Sequence, residues 1–368
     1  MFIKGTARDQ RALRLATGTA LCLAASFGLG LPLPFLAPVL SLMLLAMLNR
    51  ALPFKTSLVL ALVAALTTGV GLLLIPILRY YPISGVLLIG VCLFLAFRFG
   101  LSGGNNLVVT FLVIGLTMIS SAGVAEFDLA AMVIAALVKG LLLAVTVVAI
   151  SHWLFPEPAN APTPPRAPPL SAEATGRVAL RATLIVLHTF LLALIDPAGY
   201  LPIILKAVSL GQQSETTSAR NAGRELVGST LLGGLLAILF WCALSLFVHL
   251  WMFFLWMLLF GLILARKLYA LSATRLGPGF WLNTLITMII LLGQSVQDSA
   301  AGKDVYTAFA VRMGLFIFVT LYAVLMVHLL DQRTAQNAFR RSEACPRRRP
   351  QDRLRGQASL LQGPVFRD

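Results

Sequence analysis

Charge is the scarcest commodity in this sequence. Of its 368 residues only 12% are charged, against roughly 25% in soluble domains. The last 38 residues hold 9 of the 29 basic and 4 of the 14 acidic side chains, which leaves 20 basic and 10 acidic residues for the first 330. A soluble fold cannot cover its surface with so few charges, so a soluble enzyme and a disordered regulator are both excluded. Cysteine is scarce too. Cys22, Cys92 and Cys242 lie in apolar runs and Cys345 in a basic tail. They show neither a pairing pattern nor metal-ligand spacing, so a disulfide scaffold and a zinc site are excluded. Catalytic signatures are missing as well. The absence of G-x-x-x-x-G-K-[ST] argues against a self-contained ATP-driven pump. There is no H-E-x-x-H, no G-x-S-x-G, and no acidic pair of the kind that holds a divalent ion, so no enzyme activity and no cofactor are expected.

Apolar runs take the place of charge. The sequence is 58% hydrophobic, with a mean hydropathy of +0.89. The runs fall at roughly 15–30, 35–48, 56–78, 83–98, 107–124 and 129–154, and again at 180–195, 199–210, 226–248, 251–265, 280–297 and 305–330. About 20 apolar residues suffice to span hydrocarbon as a helix. The expected fold is therefore all-α, a polytopic membrane protein of about 12 spans (10 to 12). The lower figure allows for the first hairpin of each half, where Pro32, Pro34 and Pro38, and then Asp196-Pro197 and Pro202, flank short runs. Lys4, Arg8, Arg11 and Arg14 ahead of the first run imitate a signal peptide. Leu21 stands before Cys22 where a lipobox needs a small residue, and the segment recurs later, so the first run reads as structure.

The runs divide into four expected regions: a membrane half at 1–155, a Pro-rich linker at 156–178, a second half at 179–331, and a basic, disordered tail at 332–368. Composition drives the linker assignment, because Pro156 to Pro169 cannot build a core. The halves look alike. Ala12-Leu13-Arg14 matches Ala179-Leu180-Arg181. Thr67 with Gly71 matches Thr230 with Gly234. Leu107–Ser121 follows the polarity of Phe280–Gln294, and Lys139-Gly140 matches Arg312-x-Gly314. Six runs in the same order suggest a tandem duplication. Even-numbered halves would be parallel repeats.

The basic residues orient the chain. With the N-terminus inside, 25 basic residues fall on inner segments, Lys206, Arg220 and Arg224 among them, and only Arg79 and Lys303 fall outside. Both termini are therefore expected to be cytoplasmic. The tail reads as anchoring on anionic lipid rather than as a nucleic-acid module.

Three stretches carry a family resemblance. The Ala-Leu-Arg helix leads into Gly30-Leu31-Pro32-Leu33-Pro34-Phe35. Arg224-Glu225-Leu226-Val227-Gly228-Ser229-Thr230-Leu231-Leu232-Gly233 opens a third helix. Lys139-Gly140 through Pro156, and Arg312 through Gly314, mark the last helix of each half. Together these resemble the fusaric-acid-resistance and aromatic-acid-exporter (FUSC-like) superfamily over about 12–155 and 179–330. The long members have a cytoplasmic domain between the halves. This chain has only the linker, which makes it more similar to a short branch known as a domain of unknown function. The resemblance implies a proton-driven secondary exporter of small organic anions such as aromatic carboxylic acids. It would sit in a bacterial inner membrane, often with a periplasmic membrane-fusion (adaptor) protein. The sequence itself leaves a homo-oligomer open. The alternatives are a channel-like anion conductor of the same fold and a non-transporting assembly subunit.

Candidate transport residues follow from polarity inside apolar runs. Lys139 lies near mid-span, where a cation is costly unless it faces a cavity. Arg312 is its counterpart in the second half. Asp196 and His188 are each candidates for a proton relay, with an N-cap on a turn and an interhelical hydrogen bond as the plainer readings. Asn283, Gln294 and, in the first half, Ser120 belong to polar stripes expected to line a pathway. Thr67, Gly71, Thr230, Gly233 and Gly234 have the small side chains of close helix packing.

Overall fold

The computed structural model describes residues 7–48, 54–157, 172–214 and 219–344. The chain divides into two units, Met1–His328 and Leu329–Asp368. The expected tail lies mostly outside the described residues, as do residues 158–171 of the linker.

The described residues form helices and no strand. The first half runs through α1 (Ala7–Gly28), α2 (Leu36–Met47), α3 (Phe54–Tyr80), α4 (Pro82–Leu101), α5 (Asn106–Ala125) and α6 (Phe127–Leu154). The second runs through α7 (Ala172–Ile195), α8 (Pro197–Ser214), α9 (Gly223–Leu246), α10 (Leu250–Leu268), α11 (Pro278–Ala300) and α12 (Val305–Ala344). Among the described residues nine of these, rather than twelve, are long and apolar enough to cross a membrane. The shortfall has a physical cause. α2 has only 12 residues. α1 opens with Arg8, Asp9, Arg11 and Arg14, and α8 carries Lys206, Ser209, Gln212 and Gln213. α7 starts at Ala172, seven residues inside the expected linker.

Turn chemistry fixes the first hairpin. Gly30 has φ 61°, a left-handed conformation that suits glycine. Leu33, between Pro32 and Pro34, has φ 51°, where a leucine is strained. The turn drives Phe35 into the interior. It is fully buried, and a Cβ on Gly293 of α11 would lie 2.5 Å from the Phe35 Cβ. Only glycine leaves room for that ring.

The helices differ in how much of them is covered. In α5 and α11, 83% of the apolar window is buried, against 28% in α3, α4, α10 and α12. Hence α5 and α11 form the centre, with α2 and α8 beside them. The packing is reciprocal between the halves. α1 lies along α10 while α7 lies along α4, and α2 touches α11 while α8 touches α5. Within the halves, α3 packs on α5 and α9 on α11. Both contacts are close. A Cβ on Gly71 would lie 2.0 Å from the Gly115 carbonyl oxygen, and one on Gly233 would lie 2.6 Å from the Thr287 Cβ. In a bilayer, small residues let backbones approach like this and replace the hydrophobic driving force with dispersion contacts. Gly115 opens a π-helical turn, Gly115–Ile119.

One ion-pair cluster ties the start of the first half to its end. The Arg11 Nε donates to Glu157 at 2.8 Å, and Arg14 donates to the other carboxylate oxygen at 3.1 Å. Arg14 is fully buried. Tyr269, just beyond α10, belongs to the same cluster, and burial pushes its hydroxyl up to about 12. Thus Glu157, expected to be part of a free linker, is docked.

Candidate functional site

A buried lysine organises the interior. Lys206, midway along α8, is fully buried. Its Nζ donates to Asn283 Oδ1 at 2.9 Å and to Thr287 Oγ1 at 2.6 Å, both on α11. The directions are set by the neighbours. The Thr287 hydroxyl donates to its own helix at the Asn283 carbonyl, 2.7 Å away, so its oxygen accepts from the lysine. Ser209, on the next turn of α8, donates to Asn283 Oδ1 at 3.3 Å. The amide nitrogen of Asn283 donates to Ser229 of α9 at 2.6 Å.

No carboxylate among the described residues pairs with Lys206. A cation in a helical membrane interior costs at least ~2.5–3.5 kcal/mol. Two charge-assisted hydrogen bonds return an amount of the same order, about 1.5–3 kcal/mol each. Hydrogen bonds to two neutral oxygens, with no counter-charge among the described residues, are what hold the lysine in place. An ammonium carries three N–H donors, one more than these two acceptors engage.

A narrow cavity adjoins this network where the halves meet. Leu36, Leu40 and Met43 of α2 line it, with Thr110 of α5, Leu137 of α6 and Ser209 of α8. Its water-accessible core is about 20 Å³, room for about one water molecule. Its walls are apolar apart from the hydroxyls of Thr110 and Ser209. Thr110 accepts from Gln212 of α8 at 2.6 Å, a polar link between the halves, whereas the lysine network lies within the second half. Among the described residues no cluster of His, Cys, Asp and Glu is placed to hold a metal.

The expected site residues scatter. Lys139 is exposed on the outer side of α6 instead of facing a cavity. Left in lipid at mid-span it would cost about 2.5–3.5 kcal/mol. Arg312 does not offer a free cation either. Its guanidinium grips both carboxylate oxygens of Asp298, one of them at 3.0 Å. Asp298 is buried in this pair. Asp196 is exposed and accepts from the Gly199 amide at 3.2 Å, capping the turn into α8. His188 stacks on Tyr322 with ring centroids 4.2 Å apart. The two expected relay groups thus serve separate contacts.

The stripe residues are buried. Asn283 belongs to the lysine network. Gln294 bonds Gln297 at 3.3 Å. Ser120 donates to the carbonyl of Leu116 on its own helix. Thr67 bonds back to Val63, and Thr230 meets Thr320 of α12 at 3.2 Å. Gly234 lies against the flexible end of Met313. The residues that sequence reasoning missed are Lys206, Ser209, Gln212 and Ser229. A signal was present, since Lys206, Ser209 and Gln213 recur at helical spacing inside an otherwise apolar run.

Taken together, apolar helices, buried polar links and exposed apolar flanks define a multi-pass α-helical membrane protein in contact with the lipid bilayer. Residues 11–151, most of the first half, match the model of a family described as a protein of unknown function (DUF2955). No curated protein and no solved structure matches the chain.

Proposed function

We propose that this chain is a secondary transporter of small organic anions, with Lys206 as the group that receives the anion. One observation carries the reading: a fully buried lysine with no carboxylate partner among the described residues, beside a cavity with apolar walls. A carboxylate would supply the missing negative charge. An aromatic or aliphatic body would suit Leu36, Leu40, Met43 and Leu137. Aromatic carboxylic acids combine both features and agree with the exporter resemblance. Efflux from a bacterial inner membrane, driven by protons, is the mode that resemblance suggests.

The reciprocal packing supports two parallel repeats of six helices, α1–α6 and α7–α12. In that arrangement all twelve cross or enter the bilayer, α2 and α8 forming the inner limbs of the first hairpins. A site where repeats meet suits alternating access. The constricted cavity favours such a carrier over a permanently open anion pore.

Purified protein in liposomes tests the reading. Uptake of a labelled aromatic carboxylate is followed under an imposed pH gradient. Lys206→Met should abolish transport while the protein remains monodisperse. Lys206→Arg keeps the charge in a crowded site and should retain a fraction of it. Wild-type rates from a well-folded Lys206→Met protein would refute the assignment.

A further inference from the structure

The outer face of α6 carries a different lysine with a different problem. Lys139 is exposed, 12 residues after Phe127 and 15 before Leu154 in a 28-residue helix. At ~1.5 Å per residue that is ~18 Å from one end and ~22 Å from the other. A four-carbon stem cannot carry the ammonium to either interface by snorkelling. The same face presents Met132, Leu142, Thr146, Ala149 and Trp153, all exposed. With Lys139 they recur at spacings of seven, three and four, the seam along which a second helix packs. The opposite face, with Val133, Ala136 and Gly140, is already buried within this chain.

We infer that this seam is covered by a membrane-spanning helix of a different polypeptide, one that carries a carboxylate at the depth of Lys139. A second copy of the chain does not fit. The acids within the nine spans are Asp128, Glu173, Glu225 and Asp298, each within three residues of a span end. None offers a carboxylate at mid-depth. Two copies meeting through this face would also bring two ammonium groups together. Charge complementarity therefore selects a partner helix with a buried Asp or Glu, held by a charge pair that hydrocarbon strengthens. This inference is independent of the role given to Lys206.

The test uses the full chain in its native membranes. Leu142→Cys is made in a background with Cys92, Cys242 and Cys345 replaced, and is labelled with a nitroxide. Leu142 is exposed, so folding is not at stake. The label should be shielded from oxygen in native membranes and become accessible when the purified chain is placed alone in liposomes. Treatment of the native membranes with an apolar carbodiimide should then join Lys139 by an amide to a carboxylate of another polypeptide, the reagent leaving as its urea. Lys139→Met should lose that product. Oxygen accessibility in both preparations would mean that lipid covers the seam and would overturn the inference. Shielding in both, or a cross-link to a second copy or to a serine lipid headgroup, would overturn it as well.

Discussion

The Lys206 ammonium and the Asn283 side-chain oxygen meet at 2.9 Å across the middle of the bundle, 77 residues apart in sequence. Asn283 is the hub. Its oxygen accepts from Lys206 and Ser209, while its nitrogen donates to Ser229, so one side chain joins α8, α9 and α11. An aspartate there would neutralise the lysine permanently. An amide satisfies it and leaves the charge available to a ligand.

Asn283→Leu should therefore destabilise the protein, by about 3 kcal/mol, since it strips one acceptor from a buried cation. Lys206→Met with Asn283→Leu should recover much of that loss, because an apolar pair in place of a polar one is often neutral. Thermal unfolding in detergent measures both. A double variant as unstable as the sum of the singles would show that the two residues do not act as a pair.

The sequence revealed the helices more readily than their rotations. Runs of apolar residues mark each helix because hydrocarbon demands them, and the Pro-rich turns mark the hairpins. Which way a side chain points depends on packing that hydropathy does not encode. Spacing alone places Lys139 at mid-depth, yet it faces outward. The basic-residue count places Lys206 on the cytoplasmic side, because a short apolar run with a lysine looks like an interfacial segment, whereas the side chain is buried. Arg312 pairs with Asp298, 14 residues earlier on the preceding helix, a contact that spacing along one helix does not encode. Gly71 and Gly233 were legible as packing residues, since close approach needs a small side chain whichever helix it faces.

Arg312 and Asp298 should behave as a structural pair. Asp298→Asn and Arg312→Met should each lower stability by about 1–3 kcal/mol, with little change in the affinity for a transported anion. The reversed pair, Asp298→Arg with Arg312→Asp, should regain part of the loss. Thermal stability and transport KM, measured on the same preparations, separate the two roles. A large rise in KM from Arg312→Met in a stable protein would return Arg312 to the binding site.

Two glycines offer a sharper comparison. A Cβ on Gly71 would lie 2.0 Å from a backbone oxygen, whereas one on Gly234 would crowd the sulfur and methyl of Met313, at 2.5 Å, and make ordinary contact with Leu291 at 3.8 Å. Backbone cannot yield and a methionine end can. Gly71→Ala should cost about 1–3 kcal/mol or more through overpacking. Gly234→Ala should be nearly silent in a thermal melt. Equal effects would contradict the α3–α5 contact described here.

Topology is checked by reporter fusions. Fusions at Pro164 and Gln351 should report the cytoplasm, and fusions near Ala125 and Ala300 the opposite side. The basis is the asymmetry of basic residues. Moving Lys206 into the interior removes one residue from the inner count and leaves the imbalance intact. An external signal at Pro164 would break the parallel-repeat arrangement.

The linker should divide into a docked end and a dispensable remainder. Glu157 holds Arg11 and the buried Arg14, so Glu157→Gln would leave a guanidinium in the interior without its counter-charge. Breaking such a pair from one side costs about 3–5 kcal/mol, and the melting temperature of Glu157→Gln should fall clearly. Arg14→Leu with Glu157→Leu should be less damaging than Glu157→Gln alone, because no uncompensated charge remains. Deletion of Pro162 to Pro169 removes residues whose composition cannot form a core, and should leave both the melt and any transport unchanged. A deletion that unfolds the protein while Glu157→Gln is tolerated would reverse this assignment, and would put the restraint between the halves in the proline-rich segment itself.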